Sequence, residues 1–158
     1  MIKYPKTNPV GIDVFVSMMQ NIAQSELPTL FGVSEAQCLF YGRGENVTIG
    51  GRELRVVYSS GRDYDELGYS DKVSFVSYLM VDGLFEPDEK QERVNVSLYC
   101  HGDLGKLFPS ISHRADEELR KVMKEFVYRL IEPQDMRSIE LLEEMQPYHS
   151  FKINFTIV

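Results

Sequence analysis

The chain has 158 residues and carries 24 acidic against 17 basic side chains, a formal net charge of −7. This length suits one domain that folds without a disulfide or a metal, and a hydrophobic fraction of 43% excludes a disordered chain. The excess of acids and the absence of a basic cluster argue against binding to nucleic acids or anionic membranes. The sequence shows neither the apolar core of a signal peptide nor an apolar run long enough to span a bilayer.

The N-terminal region predicts an extended arm followed by a helix. Pro5 and Pro9 hold residues 1–9 out of a helix. From residue 10 to 27, apolar side chains recur at spacings of three and four, which is typical of a helix with one buried face. Pro28 is expected to end this helix, because proline cannot continue the hydrogen-bond ladder.

Strands dominate the middle of the chain. The pair Gly50-Gly51 between two alternating segments is the clearest hairpin signal, because glycine supplies the positive φ of a primed two-residue turn. A polar loop over 59–71 then precedes two longer strands, which favour an antiparallel pair joined by a charged turn. The predicted strands are residues 37–41, 46–49, 52–58, 72–81 and 93–101.

The last third of the chain predicts two helices and a strand. A helix over residues 115–131 has acids in its first turn, where the helix dipole favours them, and Ser112 is placed to cap it. Apolar residues three apart predict a short second helix over 136–145. Strict alternation over 150–158 predicts a final strand that leaves a bare sheet edge.

Together these elements predict a single domain over residues 1–158 with an α+β fold. An antiparallel sheet of about four to five strands is expected to pack against the N-terminal helix and the long helix of the C-terminal half. The reason is that runs of strands followed by helices are typical of α+β folds rather than of parallel α/β sheets.

Neither the glycines nor the acids of the loops form a known binding motif. The segment 42–51 begins Gly-x-Gly, but a strand follows it where a phosphate loop needs a helix, so the turn interpretation is favoured. Asp63, Asp65 and Glu66 do not match the spacing of a calcium loop, and the acids of segment 86–89 are interpreted as solvated. No cofactor or metal is therefore predicted.

The histidines and cysteines also lack the spacing of a reactive site. His101, His113 and His149 form no metal-ligand pattern, and His101 points to the opposite face of its strand from the adjacent cysteine. Cys38 and Cys100 both lie in apolar strands, which favours free buried thiols, although the residues leave a bridge open. The sequence thus predicts no catalytic residue, and the chain is not expected to be an enzyme.

The order of these elements resembles that of the tail-terminator and neck-ring proteins of tailed bacteriophages, which are small α+β domains. The opening segment 8–13, NPVGID, is similar to the start of small structural proteins of crAss-like phages of gut Bacteroidales. The matching stretches are Gly11–Leu27, Arg52–Tyr58, Lys72–Val81, Arg93–His101, Ala115–Ile131 and Ser150–Val158.

The resemblance implies a structural virion protein that is made in the host cytoplasm and forms a closed ring at the head–tail neck. Its partners would be copies of itself and the adjoining portal, adaptor or tail proteins, and DNA would cross the lumen without specific binding. The arm and the long loop over 83–92 are then expected to contact neighbouring subunits. The predicted interface residues are Ile2, Tyr4, Pro5, Leu84, Phe85 and Pro87.

Two other functions stay open at this point. One is a small metal-dependent hydrolase assembled from His101, His113 and the loop acids. The other is a bacterial module that binds a ligand or a protein partner. The first would hold stoichiometric metal, and the second would show an apolar pocket or a tight partner.

Overall fold

A computed structural model describes residues 2–60, 63–66, 72–87, 92–110, 113–142 and 148–157. Single turns of 3-10 helix lie at Glu35–Gln37 and Pro133–Asp135. The described elements are α1 (Ile12–Phe31), β1 (Cys38–Ile49), β2 (Arg52–Ser60), β3 (Asp63–Glu66), β4 (Phe75–Pro87), β5 (Glu92–Asp103), α2 (Leu104–Leu107), α3 (Ala115–Tyr128), β6 (Met136–Leu141) and β7 (Tyr148–Ile157).

The strands form one mixed sheet of seven in the order β3-β2-β1-β4-β5-β7-β6. β1 and β4 run parallel, and every other described pair is antiparallel. The predicted α+β class, with a purely antiparallel sheet of about four to five strands, was therefore wrong. The fold is a mixed α/β fold in which helices cover one face of a sheet with a parallel pair.

The parallel pair follows from the burial of β1. Residues 38–41 are buried whichever face their side chains occupy, and a strand that is buried on both faces belongs in the interior of a sheet. β2 pairs with β1 from Gly44 onward, and β4 takes the other edge. Sequence reasoning assumed that strands adjacent in the chain are neighbours in the sheet, and so it missed this arrangement.

The β1–β2 hairpin was predicted correctly. Gly50 and Gly51 have φ values of +60° and +77°, as a primed two-residue turn requires. The register then pairs Ile49 with Arg52 and continues to Gly44 and Val57. The antiparallel pairing of β4 with β5 was also correct, although β4 begins and ends later than the predicted 72–81 and β5 is longer at both ends than the predicted 93–101. β2 and β3 occupy part of the predicted polar loop over 59–71.

The first helix does not end at Pro28 but runs through it to Phe31. One further turn buries the Phe31 ring, whose centroid lies 5.3 Å from that of Phe75 and 6.0 Å from that of Phe108. Burial of a phenylalanine side chain is worth about 1.5–3 kcal/mol, which offsets much of the cost of the missing hydrogen bond. Gly32 ends the helix in the left-handed conformation with φ +69°.

The predicted short helix over 136–145 was wrong, because residues 136–141 form the edge strand β6. A register shift between Met136 and Ser138 lets Met136 and Ile139, three residues apart, both pack against the main core, which imitates helical spacing. Residues 143–145 and the proposed cap Ser112 lie outside the described residues.

The final strand was predicted, but its place in the sheet was wrong. β7 lies between β5 and β6, so its edge is not bare. Ser150 and Asn154, on the polar side of its alternating pattern, are buried together with the apolar side. The sequence pattern suggested that this side faces solvent, whereas both faces of β7 are largely covered.

Two buried clusters lie on opposite faces of the sheet. The cluster beneath α1 and α3 contains the largest buried side chains, among them Leu27, Met123 and Phe151. The second cluster includes Val76 and Tyr78, and its described members all come from strands, the arm and the segment before β4. The chain therefore has a helical face with an apolar core and a second face of mixed polar and aromatic character.

Both cysteines belong to the cluster under the helices and carry free thiols. Burial raises the pKa of Cys38 to about 11 and raises that of Cys100 well beyond its ordinary value. Because the thiolate is the reactive form, we expect both thiols to react slowly with a chromogenic disulfide reagent in the folded protein and fast after denaturation. Rapid reaction of either thiol in the native protein would contradict this placement.

Candidate functional site

The N-terminal arm lies against its own chain. Ile2 forms a parallel bridge with Phe40, and the Lys3 amide donates to the Phe40 carbonyl at 2.9 Å. Tyr4 packs against the second cluster, and Pro5 is exposed. Within one subunit the arm thus covers the part of the β1 edge that β2 leaves unpaired. The expected contact of Ile2, Tyr4 and Pro5 with a neighbour stays a prediction.

The described part of the second predicted interface segment is strand rather than loop. The backbone of Leu84, Phe85 and Pro87 belongs to β4, where Phe85 pairs with Val94 and Pro87 with Glu92. The described pairing of β4 with β1 ends at Met80, and that of β5 with β7 ends at Val94. The described end of the β4–β5 hairpin, residues 84–87 and 92–93, therefore continues beyond its pairing with the strands on either side. We call this segment the projecting hairpin.

A groove runs between the outer strand β6 and helix α3. It has a volume of about 420 Å³ and lies on the helical face, where Ile139 is paired with Ile153 and Leu141 with Phe151. Leu141 is 65% exposed although it is apolar. The side chains that line the groove are Glu117, Arg120, Lys121, Lys124, Ile139 and Leu141.

This groove combines three features that suit an extended acidic segment. Among the described residues, β6 is the last strand of the sheet. Its outer backbone groups are therefore available to pair with a further strand. Ile139 and Leu141 offer an apolar floor, and the rim holds three cations and one acid, with Arg120 also paired to Asp116 at 3.3 Å. An extended peptide that pairs with an edge strand beside a helix is a recurrent recognition mode.

Sequence reasoning missed the groove residues because the edge strand was interpreted as a helix. Lys121 and Lys124 are three residues apart on the exposed side of α3, and that spacing was the only available signal. Their importance depends on Leu141, which lies beside α3 only because β6 is a strand at the sheet edge.

Further apolar side chains are exposed near the start of α1. Val14 and Met18 lie one helical turn apart and are 54% and 41% exposed, and Val10 precedes the helix at 77%. Met18 and Tyr128 line a shallow groove between α1 and the end of α3, which has a volume of about 470 Å³. Clustered apolar exposure of this kind favours contact with another protein surface.

A hydrogen-bonded network crosses the sheet face opposite the helices. The Nδ1 atom of His101 lies 2.8 Å from Ser150 Oγ, and its Nε2 atom lies 3.3 Å from the Tyr78 hydroxyl. Arg55 Nη1 donates to the same hydroxyl at 2.9 Å, and Tyr99 stacks on Tyr78 with centroids 5.1 Å apart. These contacts connect β2, β4, β5 and β7.

The network supports a structural role for His101. Both ring nitrogens have hydrogen-bond partners, and the side chain is buried. Burial, and to a lesser extent the charge of Arg55, lowers the pKa of His101 to about 4, so the imidazole is neutral at neutral pH. The arrangement bridges four strands by hydrogen bonds that a neutral histidine can make.

The other histidines lie apart from this network. His113 is exposed in the segment before α3, and His149 is buried with its Nε2 2.7 Å from Arg120 Nη1. Within the ranges that the structure describes, no three histidine, cysteine or carboxylate side chains converge as metal ligands would. Asp88 and Glu89 lie outside those ranges.

In the same ranges, no helix combines the length and apolarity of a membrane span. Comparison with known proteins adds no assignment to these surfaces: no family model matches the chain, and no curated protein is significantly similar to it.

Proposed function

We propose that this chain is a ring-forming subunit of a bacteriophage head–tail neck. The observation that carries the proposal is the opposite charge of two segments, the acidic sequence 86–92 at the end of the β4–β5 hairpin and the groove between β6 and α3. Residues 86–92 contain four acids and one lysine, whereas the groove is lined by three cations and one acid. The hairpin of one subunit is then held in the groove of the next.

Apolar chemistry matches as well as charge. Leu84 and Phe85 precede the acidic stretch in the sequence, and Ile139 and Leu141 form the apolar floor of the groove. An extended hairpin strand can also pair with the outer edge of β6. Such a contact combines backbone hydrogen bonds, which supply affinity, with charges that fix the register.

The two surfaces lie at different places on the subunit. The projecting hairpin begins where Val94 pairs with Ile157, whereas Leu141 lies opposite Phe151. At ~3.3 Å per residue, these positions are roughly 20 Å apart along β7. A contact between unlike surfaces is heterologous, so it repeats from subunit to subunit and closes into a ring when the rotation allows.

The overall charge fits a channel for DNA. In a ring of subunits that each carry −7, acids that face the lumen repel phosphates and let DNA pass without adhering. Its partners would be copies of the chain and the portal, adaptor or tail proteins on either side. The order of elements in the chain resembles that of tail-terminator and neck-ring proteins, which supports a neck ring over other assemblies. The sheet of this chain is nevertheless mixed rather than purely antiparallel.

Reversal of one charge in the groove tests the proposal. We expect Lys121→Glu to weaken self-association by about tenfold or more, because it brings a second acid to the rim that receives an acidic hairpin. Sedimentation velocity over a concentration series measures the change. Arg52→Glu is the matched control, since it makes the same change of charge on an exposed side chain of β2, which four strands separate from β6.

Two results would contradict the proposal. The wild-type chain could sediment as a monomer at every concentration, which would leave no association to explain. Alternatively, Lys121→Glu and Arg52→Glu could weaken association equally, which would mean that net charge and not the groove controls it.

A further inference from the structure

A small cavity lies beneath the N-terminal arm, between α1 and the middle of β1, and has a volume of about 160 Å³. Its walls include Lys6, Asp13, Gln20, Arg43 and Glu45. We infer that this cavity binds a single carboxylate group through the guanidinium of Arg43. The inference does not depend on the proposed function, because it rests on a different part of the molecule.

Arg43 reaches the cavity because β1 carries a bulge. Phe40 pairs with Ser77 and Arg43 pairs with Leu79, so β1 contains one more residue than β4 over this stretch. Phe40 and Leu79 both belong to the core beneath the helices. Strict alternation would turn Arg43 to the opposite face from Phe40, whereas the bulge places it on the α1 side. Bulges commonly redirect a side chain in this way at functional sites.

The guanidinium of Arg43 lacks a partner among the described residues. It forms no hydrogen bond or ion pair there, and its Nε atom is buried without an acceptor. Glu45 lines the same cavity but makes no salt bridge with it. Arg43 as a whole is half-buried, and a buried polar atom without a partner is rare in folded proteins. An arginine guanidinium can bind a carboxylate through two parallel hydrogen bonds.

The roof of the cavity is held in place by specific contacts. Gln20, which is buried on α1, donates its side-chain amide to the Lys3 carbonyl at 3.1 Å. Lys6 Nζ lies 2.6 Å from Asp13 Oδ2, which fastens the arm to the first turn of α1. Between them, Tyr4 has a φ of +53°, a left-handed conformation that bulky residues rarely adopt. Strained backbone of this kind is concentrated at ligand-binding sites.

Charge and size select the class of ligand. Lys6 and Asp13 already form an ion pair, so Arg43 is the cation of the lining that lacks a counter-ion among the described residues, and a monoanion would neutralise it. Glu45 on the same wall repels any anion, and a phosphate dianion about twice as strongly as a carboxylate. The volume equals that of about five water molecules, which accommodates acetate or the end of an acidic side chain. The guanidinium fork also matches a planar carboxylate.

The test follows the arginine Nε–H resonances of the full chain by ¹H–¹⁵N NMR during titration with sodium acetate, at an ionic strength held constant with chloride. The Arg43 resonance is assigned by its loss in Arg43→Lys. We expect that resonance alone to shift and saturate with acetate and to stay unchanged with chloride. The absence of a saturable shift at Arg43, or tighter binding of phosphate than of acetate, would overturn the inference.

A variant pair provides a second readout. Arg43→Lys is expected to weaken acetate binding about tenfold, measured by the acetate-dependent rise of the unfolding midpoint, because lysine cannot make the bidentate contact. Arg52→Lys, at an exposed arginine, should bind acetate like the wild type. Equal acetate stabilisation in both variants would contradict the assignment to Arg43.

The same experiments separate two sources of the carboxylate. If a neighbouring chain supplies an acidic side chain, the Arg43 resonance also shifts on dilution of the protein, and Arg43→Lys weakens self-association. If the ligand is a free carboxylate, the resonance responds to acetate and not to dilution. Both results include the response to acetate, and a resonance that does not respond to acetate refutes the carboxylate site.

Discussion

Replacement of Phe75 by alanine is expected to lower the free energy of unfolding by about 3–5 kcal/mol. The Phe75 ring is fully buried at the start of β4, and its centroid lies 5.3 Å from that of Phe31 on α1 and 6.0 Å from that of Phe40 on β1. The substitution thus removes packing between the helix and the parallel strand pair. A cavity at a junction of three elements collapses only in part, so the loss is at the upper end for core truncations.

Denaturant unfolding followed by far-UV circular dichroism measures this loss. Ile49→Ala is the control, because Ile49 is 58% exposed at the β1–β2 turn, and it should change stability by about 0.5 kcal/mol or less. If Phe75→Ala were as mild as Ile49→Ala, β4 would not occupy the centre of the core, and the parallel pairing with β1 would be in doubt.

Acidification is expected to destabilise the protein through His101. Burial holds the pKa of His101 at about 4 in the folded state, against about 6.5 in the unfolded chain. The unfolded state therefore binds the proton more readily, so this contribution to stability is fully present above pH 6.5 and is lost as the pH falls toward 4. The difference corresponds to roughly 3 kcal/mol, since one pKa unit is equivalent to about 1.4 kcal/mol.

The difference between variants isolates this effect from the titration of carboxylates. His101→Gln is expected to lose stability overall but to show a shallower decline between pH 6.5 and 4, because glutamine does not titrate. His113→Gln, at an exposed histidine, should follow the wild-type pH profile. Parallel profiles for the wild type and His101→Gln would show that His101 is not buried in its neutral form.

Local patterns in the sequence predicted elements whose cause is local. The Gly50-Gly51 turn follows from the φ values that only glycine adopts readily, and the β4–β5 hairpin follows from two alternating segments with a polar connection. The acids at the start of α3 likewise mark the beginning of that helix. In each case neighbouring residues carry the information.

Elements that depend on distant partners were not predictable in this way. Pro28 continues α1 because Phe31 finds aromatic neighbours on β4 and beyond α2. The parallel pair depends on the burial of both faces of β1, and β6 resembles a helix because a bulge changes its register. Tertiary packing overrides the local signal at each of these places.

The candidate surfaces also differ in how far local sequence predicts them. The sequence singled out segment 83–92 as a length of chain that the core does not use, and the structure places residues 84–87 and 92 of it in the projecting hairpin. The groove that would receive it depends on β6 being an edge strand. Arg43 likewise depends on a bulge that no pattern of residues reveals. Neither could be identified before the topology of the sheet was known.

An equimolar mixture of two defective variants tests head-to-tail assembly most directly. Leu84→Asp damages the projecting hairpin, and the double variant Lys121→Glu/Leu141→Asp damages the groove, so each should sediment as a monomer when alone. Mixed together, one intact hairpin meets one intact groove, and sedimentation velocity should show dimers that grow no further. A mixture that remains monomeric, or a single variant that assembles like the wild type, would contradict the proposed contact.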